Sequence, residues 1–370
     1  MENKLYRRGG IDITKLKYKS IYIITTNQQA SGSYVASPNF STYNYCWLRD
    51  GSFSAYSMDL YKKFNSSNRF FDWTNIVICR QEDKLKRILR MKTRGDILLN
   101  DDYLPTWFTL DGNECDQEWP NYQLDGYGVW LWALAQHFKI TKNDNIMIKY
   151  KQSIAIAVEY LCNFWNYPCF DCWQENGETI HTATLASIYG GLNSINEYLN
   201  NSHTEKILKE IKQYVLDNNI EDGRLKKSID VASIDASLLW TVIPFKLFEV
   251  NDLIIKKTIN MIEHELVHQS GVQRYPKDTY YGGGEWIILS AWLGLYYCEV
   301  NEIDKARETL KWIESKANKS GELAEQILDN ISDDSYINKW KSLWGEVASP
   351  VLWAHAMYLI LLYNVKKLSL

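Results

Sequence analysis

Long hydrophobic runs are missing from this chain of 370 residues. The N-terminal segment MENKLYRRGGIDITKLKYKS contains no apolar stretch of signal-peptide length. No other segment reaches the roughly 18 consecutive apolar residues of a membrane-spanning helix. The sequence therefore predicts a cytoplasmic protein with no membrane partner.

The sequence also lacks an excess of basic residues and a cysteine framework. Its formal net charge is −4, so the basic surface that a nucleic-acid partner requires is not expected. The seven cysteines are odd in number and scattered between Cys46 and Cys298. This pattern does not indicate a disulfide-rich domain and is typical of a reducing compartment.

No linker rich in proline, glycine or serine and no low-complexity block interrupts the chain. Apolar residues make up 46% of the sequence, which is ample for a large core. These observations favour a single domain over residues 1–370. They predict nothing about the oligomeric state.

What the sequence does contain is helical periodicity, with apolar residues at i, i+3 and i+4. The stretches that show it are 14–30, 51–64, 72–91, 123–139, 146–165, 181–199, 204–216, 234–249, 252–267, 285–299, 302–317 and 349–365. Alternation typical of strands is scarce. The sequence therefore predicts an all-α protein of about twelve helices.

These predicted helices are of two kinds. The segments 131–135, 236–240, 287–297 and 351–363 are apolar on every side, which is typical of inner helices, whereas 205–215 and 302–316 carry a charged face. Alternation of inner and outer helices predicts a double-layered closed barrel, an (α/α)6 fold. If the inner helices run parallel, the loops that precede them meet at one end.

Those loops are rich in aromatic and charged residues. The chain has 15 Trp and 25 Tyr, and aromatic faces beside polar groups suit sugar rings, although large helical proteins also pack with these residues. Hydrolysis of a glycosidic bond requires two carboxyl groups, which loops on opposite sides of a barrel mouth could supply. The candidate carboxylates are Asp50, Asp125, Asp171, Glu175, Asp278 and Glu325.

Six segments resemble the signature segments of the glucoamylase family, glycoside hydrolase family 15. They are YNYCWLRD, WPNYQLDG, DCWQE, RYPKDTYYGGGEW, GELAEQ and SPVLWAHA, in the family's order between Ser37 and Leu361. The resemblance implies an (α/α)6 barrel and an exo-acting, inverting hydrolase of short malto- or isomalto-oligosaccharides that releases β-glucose without metal or organic cofactor. Bacterial members often carry a β-sandwich domain before the barrel, and this chain begins too close to its first motif for one to be expected.

The resemblance also implies roles for individual residues. Glu325 falls on the general base, and Glu175 on an acidic residue that helps to bind the sugar on the leaving-group side. Taken singly, the Arg49–Asp50 pair could be structural and a tryptophan could be core, but the ordered set favours a site. Substrate-binding roles fall on Tyr43, Trp47, Arg49, Asp50, Trp119, Asp171, Trp173, Arg274, Asp278, Trp286 and Trp353.

Gln174 departs from the family pattern. The family has Trp-Glu-Glu where this chain has Trp173-Gln174-Glu175, so glutamine occupies the position of the general acid. A primary amide has no acidic proton to give at neutral pH. The leading interpretation is a variant disabled at this position; the alternatives are a catalytically silent glucan-binding protein and an enzyme that recruits Glu175 as its acid.

Two metal-binding patterns are weak. HELVH at 264–268 matches the zinc-peptidase pattern, in which two histidines share one helical face, but Gly271 follows closely and favours coincidence on an outer helix. Cys169 and Cys172 form a lone C-x-x-C without a second pair, which favours packing residues over a zinc or redox site. We therefore expect no metal.

Overall fold

The computed structural model describes residues 13–115, 120–143 and 145–368, except for the side chains of Ile13 and Thr14. Helices dominate these ranges, as predicted. The α-helices are α1 (Ile13–Thr26), α2 (Leu48–Leu60), α3 (Phe64–Cys79), α4 (Glu82–Arg94), α5 (Asp125–Thr141), α6 (Asn145–Lys149), α7 (Lys151–Phe164), α8 (Thr182–Leu199), α9 (Ser202–Asn218), α10 (Leu253–Leu266), α11 (Ile287–Glu299), α12 (Ile303–Ser315), α13 (Ser335–Trp344) and α14 (Leu352–Leu368). Short 3-10 helices cover Ser41–Tyr43, Asn100–Asp102, Ala236–Thr241 and Tyr280–Gly282.

The strands are two residues long and pair antiparallel. They are β1 (Cys46–Trp47), β2 (Trp107–Phe108), β3 (Ile220–Glu221), β4 (Arg224–Leu225), β5 (Val267–His268), β6 (Gly271–Val272), β7 (Glu285–Trp286) and β8 (Gln326–Ile327). β1 pairs with β2, β3 with β4, and β5 to β8 form one sheet in chain order. In that sheet Trp286 lies opposite Gln326, so the segment before α11 runs beside the one that follows Glu325.

Two concentric layers of helices form the barrel. In the inner layer α2 packs on α5, α5 on α8, α8 on the 3-10 helix Ala236–Thr241, this helix on α11, α11 on α14, and α14 on α2, which closes the ring. In the outer layer α1 packs on α14, α3 on α2, α7 on α5, α9 on α8, α10 on the 3-10 helix and α12 on α11. This arrangement confirms the predicted (α/α)6 barrel.

Burial explains the two kinds of helix. In α11 every residue from Ile287 to Cys298 is buried, because both layers surround it. In α9 only one stripe is buried, formed by Thr204, Ile207, Leu208, Ile211 and Val215. No helix in the ranges given above combines the length and the apolar character that crossing a bilayer requires.

The predicted α-helix at 234–249 is wrong. The structure has only the 3-10 helix Ala236–Thr241, which begins where Asp235 accepts a hydrogen bond from the backbone N–H of Ser237 at 2.8 Å. Pro244 explains the early end, because proline has no backbone N–H and disfavours a helical conformation in the residue before it. The buried apolar side chains of 236–240 still occupy the predicted inner position.

Three further boundaries differ from the sequence predictions. The stretches 72–91 and 146–165 each span two helices, α3 with α4 and α6 with α7. α13 lies where no helix was predicted. It has no fully buried residue, but Ile337, Trp340 and Trp344 follow one another at helical spacing, so the signal was present in the sequence.

Candidate functional site

A cavity of about 500 Å³ opens where the inner helices begin, a size typical of small-ligand pockets. The loops that precede α2, α5, α8, α11 and α14 all contribute to its wall, so the predicted meeting of loops at one end is confirmed. The residues that line it are Ala36, Tyr43, Trp47, Arg49, Asp50, Pro120, Cys172, Trp173, Gln174, Glu175, Arg274, Tyr280, Trp286, Ile288, Glu325, Trp340, Trp344, Val351 and Trp353.

Most of the site residues predicted from the sequence are brought together here. Four of them are not among the lining residues, and one of these, Asp125, is described with Arg49 below. Trp119 lies outside the described residues. Asp171 and Asp278 are 2% and 1% exposed and lie behind the wall, so neither is positioned to contact a sugar directly.

Glu325 is the most enclosed carboxylate of the cavity wall, at 9% exposure. Its Oε1 accepts a hydrogen bond from the Tyr43 hydroxyl at 2.9 Å, and its Oε2 accepts one from the Tyr280 hydroxyl at 3.2 Å. The two hydroxyl oxygens are themselves 3.2 Å apart. Each tyrosine hydroxyl has a single proton to donate. When Glu325 is ionised, both hydroxyls donate to its carboxylate and neither donates to the other.

Burial controls the titration of this cluster. It raises the pKa of Glu325 to about 7, although the hydrogen bond from Tyr43 and the charge of Arg274 act in the opposite direction. Burial also raises the pKa values of Tyr43 and Tyr280 well above their ordinary range. Near neutral pH both hydroxyls therefore remain protonated donors while Glu325 exchanges its proton.

Arg49 and Asp50 form the floor of the cavity at the start of α2. The Arg49 guanidinium donates through Nη1 to Gln123 Oε1 at 2.9 Å and to Asp125 Oδ2 at 2.8 Å, and its Nε lies 3.4 Å from Asp50 Oδ2. Burial raises the pKa of Asp50 to about 6 in spite of this cation. Asp125 is fully buried, so it orients Arg49 and does not face the cavity.

Arg274 is held rigidly by carboxylates on two sides. Its Nε and Nη2 donate to the two oxygens of Asp278 at 2.7 and 2.6 Å, the bidentate geometry that fixes a guanidinium plane. Its Nη1 lies 3.2 Å from Glu175 Oε1. Asp278 therefore acts on the site through Arg274. The guanidinium carbon also lies 5.4, 5.2 and 5.2 Å from the ring centroids of Trp173, Tyr280 and Trp286.

Asp171 shapes the turn that carries Gln174. Its Oδ1 accepts from the backbone N–H groups of Trp173 at 3.0 Å and Glu175 at 2.9 Å. Gln174 has φ +64°, in the left-handed region that few non-glycine residues adopt, and the turn over-determines this conformation. Its buried Oε1 has no hydrogen-bond partner in the described part of the chain.

Lys227, which sequence analysis missed, supports this turn from behind. Its Nζ lies 3.1 Å from Asp171 Oδ2 and 2.9 Å from Asp235 Oδ2, and Asp235 in turn accepts from Trp173 Nε1 at 3.2 and 3.1 Å. Burial disfavours the ammonium charge, but the two carboxylates raise the pKa of Lys227 above its ordinary value. The cation therefore stays charged and ties the 171–175 turn to the inner ring.

We expect Lys227→Met to lower the free energy of unfolding by about 3–5 kcal/mol, because the substitution leaves Asp171 and Asp235 buried without their cation. Urea unfolding followed by circular dichroism measures the change. Lys226→Met is the matched control, since the neighbouring ammonium group only contacts the carbonyl of Ile229 at the surface, and it should shift stability by less than about 0.5 kcal/mol. A similar loss in both variants would contradict the role given to Lys227.

Tyr280, Trp340 and Trp344 also line the cavity without having been predicted. Tyr280 lies inside the RYPKDTYYGGGEW segment, so its motif was recognised but its side chain was not. Trp340 and Trp344 lie on α13, where their spacing of four residues, which places them on one helical face, was the available signal. Trp340 is fixed by donating from Nε1 to the Thr279 carbonyl at 2.8 Å.

His355 holds the segment that leads to Glu325. The backbone N–H of Leu323 donates to His355 Nε2 at 3.0 Å, and His355 Nδ1 lies 2.8 Å from the Ser20 hydroxyl of α1. Since Nε2 accepts, the neutral ring carries its proton on Nδ1. Burial lowers the pKa of His355 to about 3, so the ring remains neutral under ordinary conditions.

The HELVH segment does not form a zinc site. α10 ends at Leu266, and His268 lies on β5, so the two histidines do not share a helical face. Cys169 and Cys172 are both buried free thiols. Within the described ranges no group of three or more His, Cys, Asp or Glu side chains could hold a metal ion.

Comparison with known proteins gives consistent matches in sequence. The family model described as Glycosyl hydrolases family 15 matches residues 15–238. An isomaltose glucohydrolase of Kribbella flavida is 36% identical over 346 residues, which are 92% of this chain and 89% of that protein. An uncharacterized glycosyl hydrolase of Methanocaldococcus jannaschii is 28% identical, and the match covers 99% of this chain and 57% of that protein.

Solved structures agree with the sequence matches. A wild-type glycosidase superposes with a TM-score of 0.92 at 35% identity, over 96% of this chain and 99% of the other, and a glutamate-to-alanine variant of a glycosidase in complex with glucose superposes with a TM-score of 0.91. A glucoamylase from Saccharomycopsis fibuligera, at 15% identity and a TM-score of 0.74 over 99% of both chains, shares the fold. The family match and the 36% identity over most of the chain show that this protein is a member of glycosyl hydrolases family 15.

Proposed function

We propose that this glycosidase acts on short α-glucosides and releases β-D-glucose from their non-reducing ends, with inversion at C1. The observation that carries the proposal is the environment of Glu325. A general base works best when its pKa lies near the working pH, and burial raises the pKa of Glu325 to about 7. Tyr43 and Tyr280 fix the orientation of its two oxygens.

In the proposed reaction Glu325 takes a proton from water as the water oxygen attacks C1. The bond from C1 to the leaving oxygen breaks on the opposite face of the sugar, where an inverting enzyme places its acid. Gln174 lines the same cavity and can donate a hydrogen bond from its amide to the leaving oxygen. The amide cannot transfer a proton, so we expect slow turnover of substrates whose leaving group departs as an alkoxide.

Recognition of a terminal glucose is assigned to the floor of the cavity. Arg49 and Asp50 offer donors and acceptors for hydroxyl groups. The buried indole N–H groups of Trp47, Trp286 and Trp353 have no hydrogen-bond partner among the described residues, and sugar hydroxyls would satisfy them. The relatives named above support glucose as the sugar and isomaltose as a first substrate to test.

A catalytically silent glucan-binding protein is the second candidate, and the glutamine at position 174 favours it. Recruitment of Glu175 as the acid is less well supported by the contacts, because its two oxygens are already engaged by Arg274 Nη1 at 3.2 Å and by the Tyr275 hydroxyl at 2.7 Å. Proton NMR of the sugar released from α-D-glucosyl fluoride tests both candidates. β-Glucose as the first product supports the proposal, α-glucose contradicts inversion, and no release supports the binding protein.

The pH profile follows from the same carboxylates. Glu325 acts only when ionised, so kcat/KM for α-D-glucosyl fluoride should rise with pH through about 7 and then remain level, because the departure of fluoride needs no acid. Below about 6, protonation of Asp50 should steepen the acid limb. Initial rates of fluoride release between pH 4 and 9, in steps of about half a unit, measure this. A fall on the alkaline side below pH 9 would contradict this profile.

A further inference from the structure

We infer that this site prefers aryl α-glucosides, substrates whose phenolate leaving group departs without a proton from the protein. The inference rests on the proposed function and names its substrate class. Two independent features carry it: the side chain at position 174 and the aromatic residues at the mouth of the cavity.

The first feature is that the described lining residues offer no free proton donor for the leaving oxygen. Among the described carboxylates that line the cavity, Glu325 is held by two tyrosine hydroxyls as the base, Asp50 lies against Arg49 on the floor, and Glu175 is engaged as described above. Gln174 offers only an amide. A sugar leaving group departs as a strongly basic alkoxide and needs protonation, whereas a phenolate is stabilised by its ring and does not.

The second feature is the chemistry of the cavity mouth. Side chains at the inner end, such as Trp47 and Arg49, are buried, at 4% and 3% exposure. Trp340 and Trp344 line the same cavity from α13, a helix on which no residue is fully buried, and this places them towards the solvent. Flat indole faces offer a stacking surface to an aryl ring, and aromatic pairs contribute beyond the apolar area that they bury.

Trp340 and Trp344 form an aromatic platform, and contacts with neighbouring residues hold it in place. Trp340 is anchored through its Nε1 to Thr279, and its ring centroid lies 5.0 Å from that of Tyr280. Tyr280 also contacts Glu325, so the mouth and the base share one supporting residue. An aryl group bound there would lie on the exposed side of a glucose held by the floor.

A phosphate is another leaving group that departs as an anion without protonation. The charges that line the cavity favour an aryl group over a phosphate. The cations among the described lining residues are Arg49 and Arg274, and both are buried and paired with carboxylates. Glu175, at 34% side-chain exposure, adds a negative charge to the wall. A phosphate would meet this charge without a free cation, so the site favours a neutral aryl group.

The reaction balances without a further reactant. Water oxygen forms a bond to C1 and loses one proton to Glu325, while the bond from C1 to the aryl oxygen breaks and its electron pair stays on the oxygen. The phenolate takes a proton from solvent, and Glu325 returns its proton to solvent. The products are β-glucose and a phenol.

The first experiment compares kcat/KM for p-nitrophenyl α-D-glucoside, isomaltose and α-D-glucosyl fluoride in the unaltered chain and in Gln174→Glu. We expect the unaltered chain to prefer the aryl glucoside to isomaltose by at least about 10²-fold, and the substitution to reduce that preference about 10²-fold or more, since only isomaltose needs the acid. A preference below about tenfold in the unaltered chain would overturn the inference. α-D-Glucosyl fluoride separates the two proposals, because its hydrolysis requires the glucose site and the base but neither an acid nor the mouth. If this substrate is hydrolysed and the aryl glucoside is not preferred, only the inference fails. If it is not hydrolysed, the proposed function fails as well.

The second experiment tests the platform. We expect Trp344→Ala to lower the ratio of aryl-glucoside to fluoride kcat/KM by about 3–10-fold, a loss typical of an aromatic contact. Leu343→Ala is the matched control on the same helix, since Leu343 is 61% exposed and does not line the cavity. An unchanged ratio in Trp344→Ala, or the same fall in both variants, would overturn the role of the mouth.

Discussion

Isomaltose turnover should rise by about 10²–10⁴-fold when Gln174 is replaced by glutamate, because the new carboxylic acid can protonate the departing alkoxide oxygen. The backbone can hold the substituted residue, since the turn fixed by Asp171 sets the φ of +64° independently of the side chain. Glucose release from isomaltose, measured with a coupled glucose assay at a fixed pH near 6, gives the ratio of rates. The same variant should also gain an alkaline limb in its pH profile, because residue 174 would then have to be protonated.

Asn176→Asp is the matched control for that substitution. It adds one negative charge to the same turn at an exposed position that does not line the cavity, so its isomaltose rate should remain within about twofold of the unaltered chain. Equal isomaltose rates for Gln174→Glu and the unaltered chain would contradict the assignment of residue 174 to the leaving-group side.

Replacement of Glu325 by glutamine should reduce hydrolysis of α-D-glucosyl fluoride by about 10²–10⁴-fold, because the amide keeps the shape of the side chain but cannot take a proton from water. Fluoride is the suitable substrate, since its departure does not depend on residue 174. Azide attacks C1 without needing a base, so added azide should restore fluoride release and yield β-D-glucosyl azide. A fluoride-selective electrode measures the rate and NMR identifies the product.

Glu322→Gln provides the comparison for Glu325→Gln. Glu322 lies in the same segment, where its Oε2 accepts a hydrogen bond from Asn318 at 2.8 Å near the surface, and its substitution should change the rate by less than about twofold. Loss of activity in both variants would indicate that the segment, and not the base, had been disturbed. A Glu325→Gln rate within tenfold of the unaltered chain would contradict the proposed mechanism.

The barrel could be predicted from the sequence because an inner helix is buried on all sides and an outer helix on one side. The two kinds of burial give different patterns of apolar residues. The all-round apolar pattern of 287–297 and the one-sided pattern of 205–215 each correspond to one layer. The same reasoning failed at 234–249, because burial in the inner ring imposes an apolar composition whether or not the backbone is α-helical. Pro244 was the local signal that distinguishes the two cases.

The site was predicted less completely because a motif shows which residues lie near a cavity but not which way each one faces. Asp278 and Glu175 are both acidic residues in recognised segments, yet only Glu175 lines the cavity, while Asp278 is used to hold Arg274. Lys227 lies outside every recognised segment and reaches the turn only through the fold. Contacts of this kind depend on tertiary packing, which periodicity does not describe.

The hydrogen bonds of His355 have a consequence for the outer layer. Ser20, on α1 of the outer layer, lies 335 positions in sequence from His355, and this one imidazole joins it to the main chain two residues before Glu325. Because this imidazole stays uncharged down to acidic pH, the link has the same form on both sides of the titration of Glu325. The segment that carries the base is thus held in the same way whether Glu325 is charged or neutral, and the titration of His355 adds nothing to the acid limb of the pH profile.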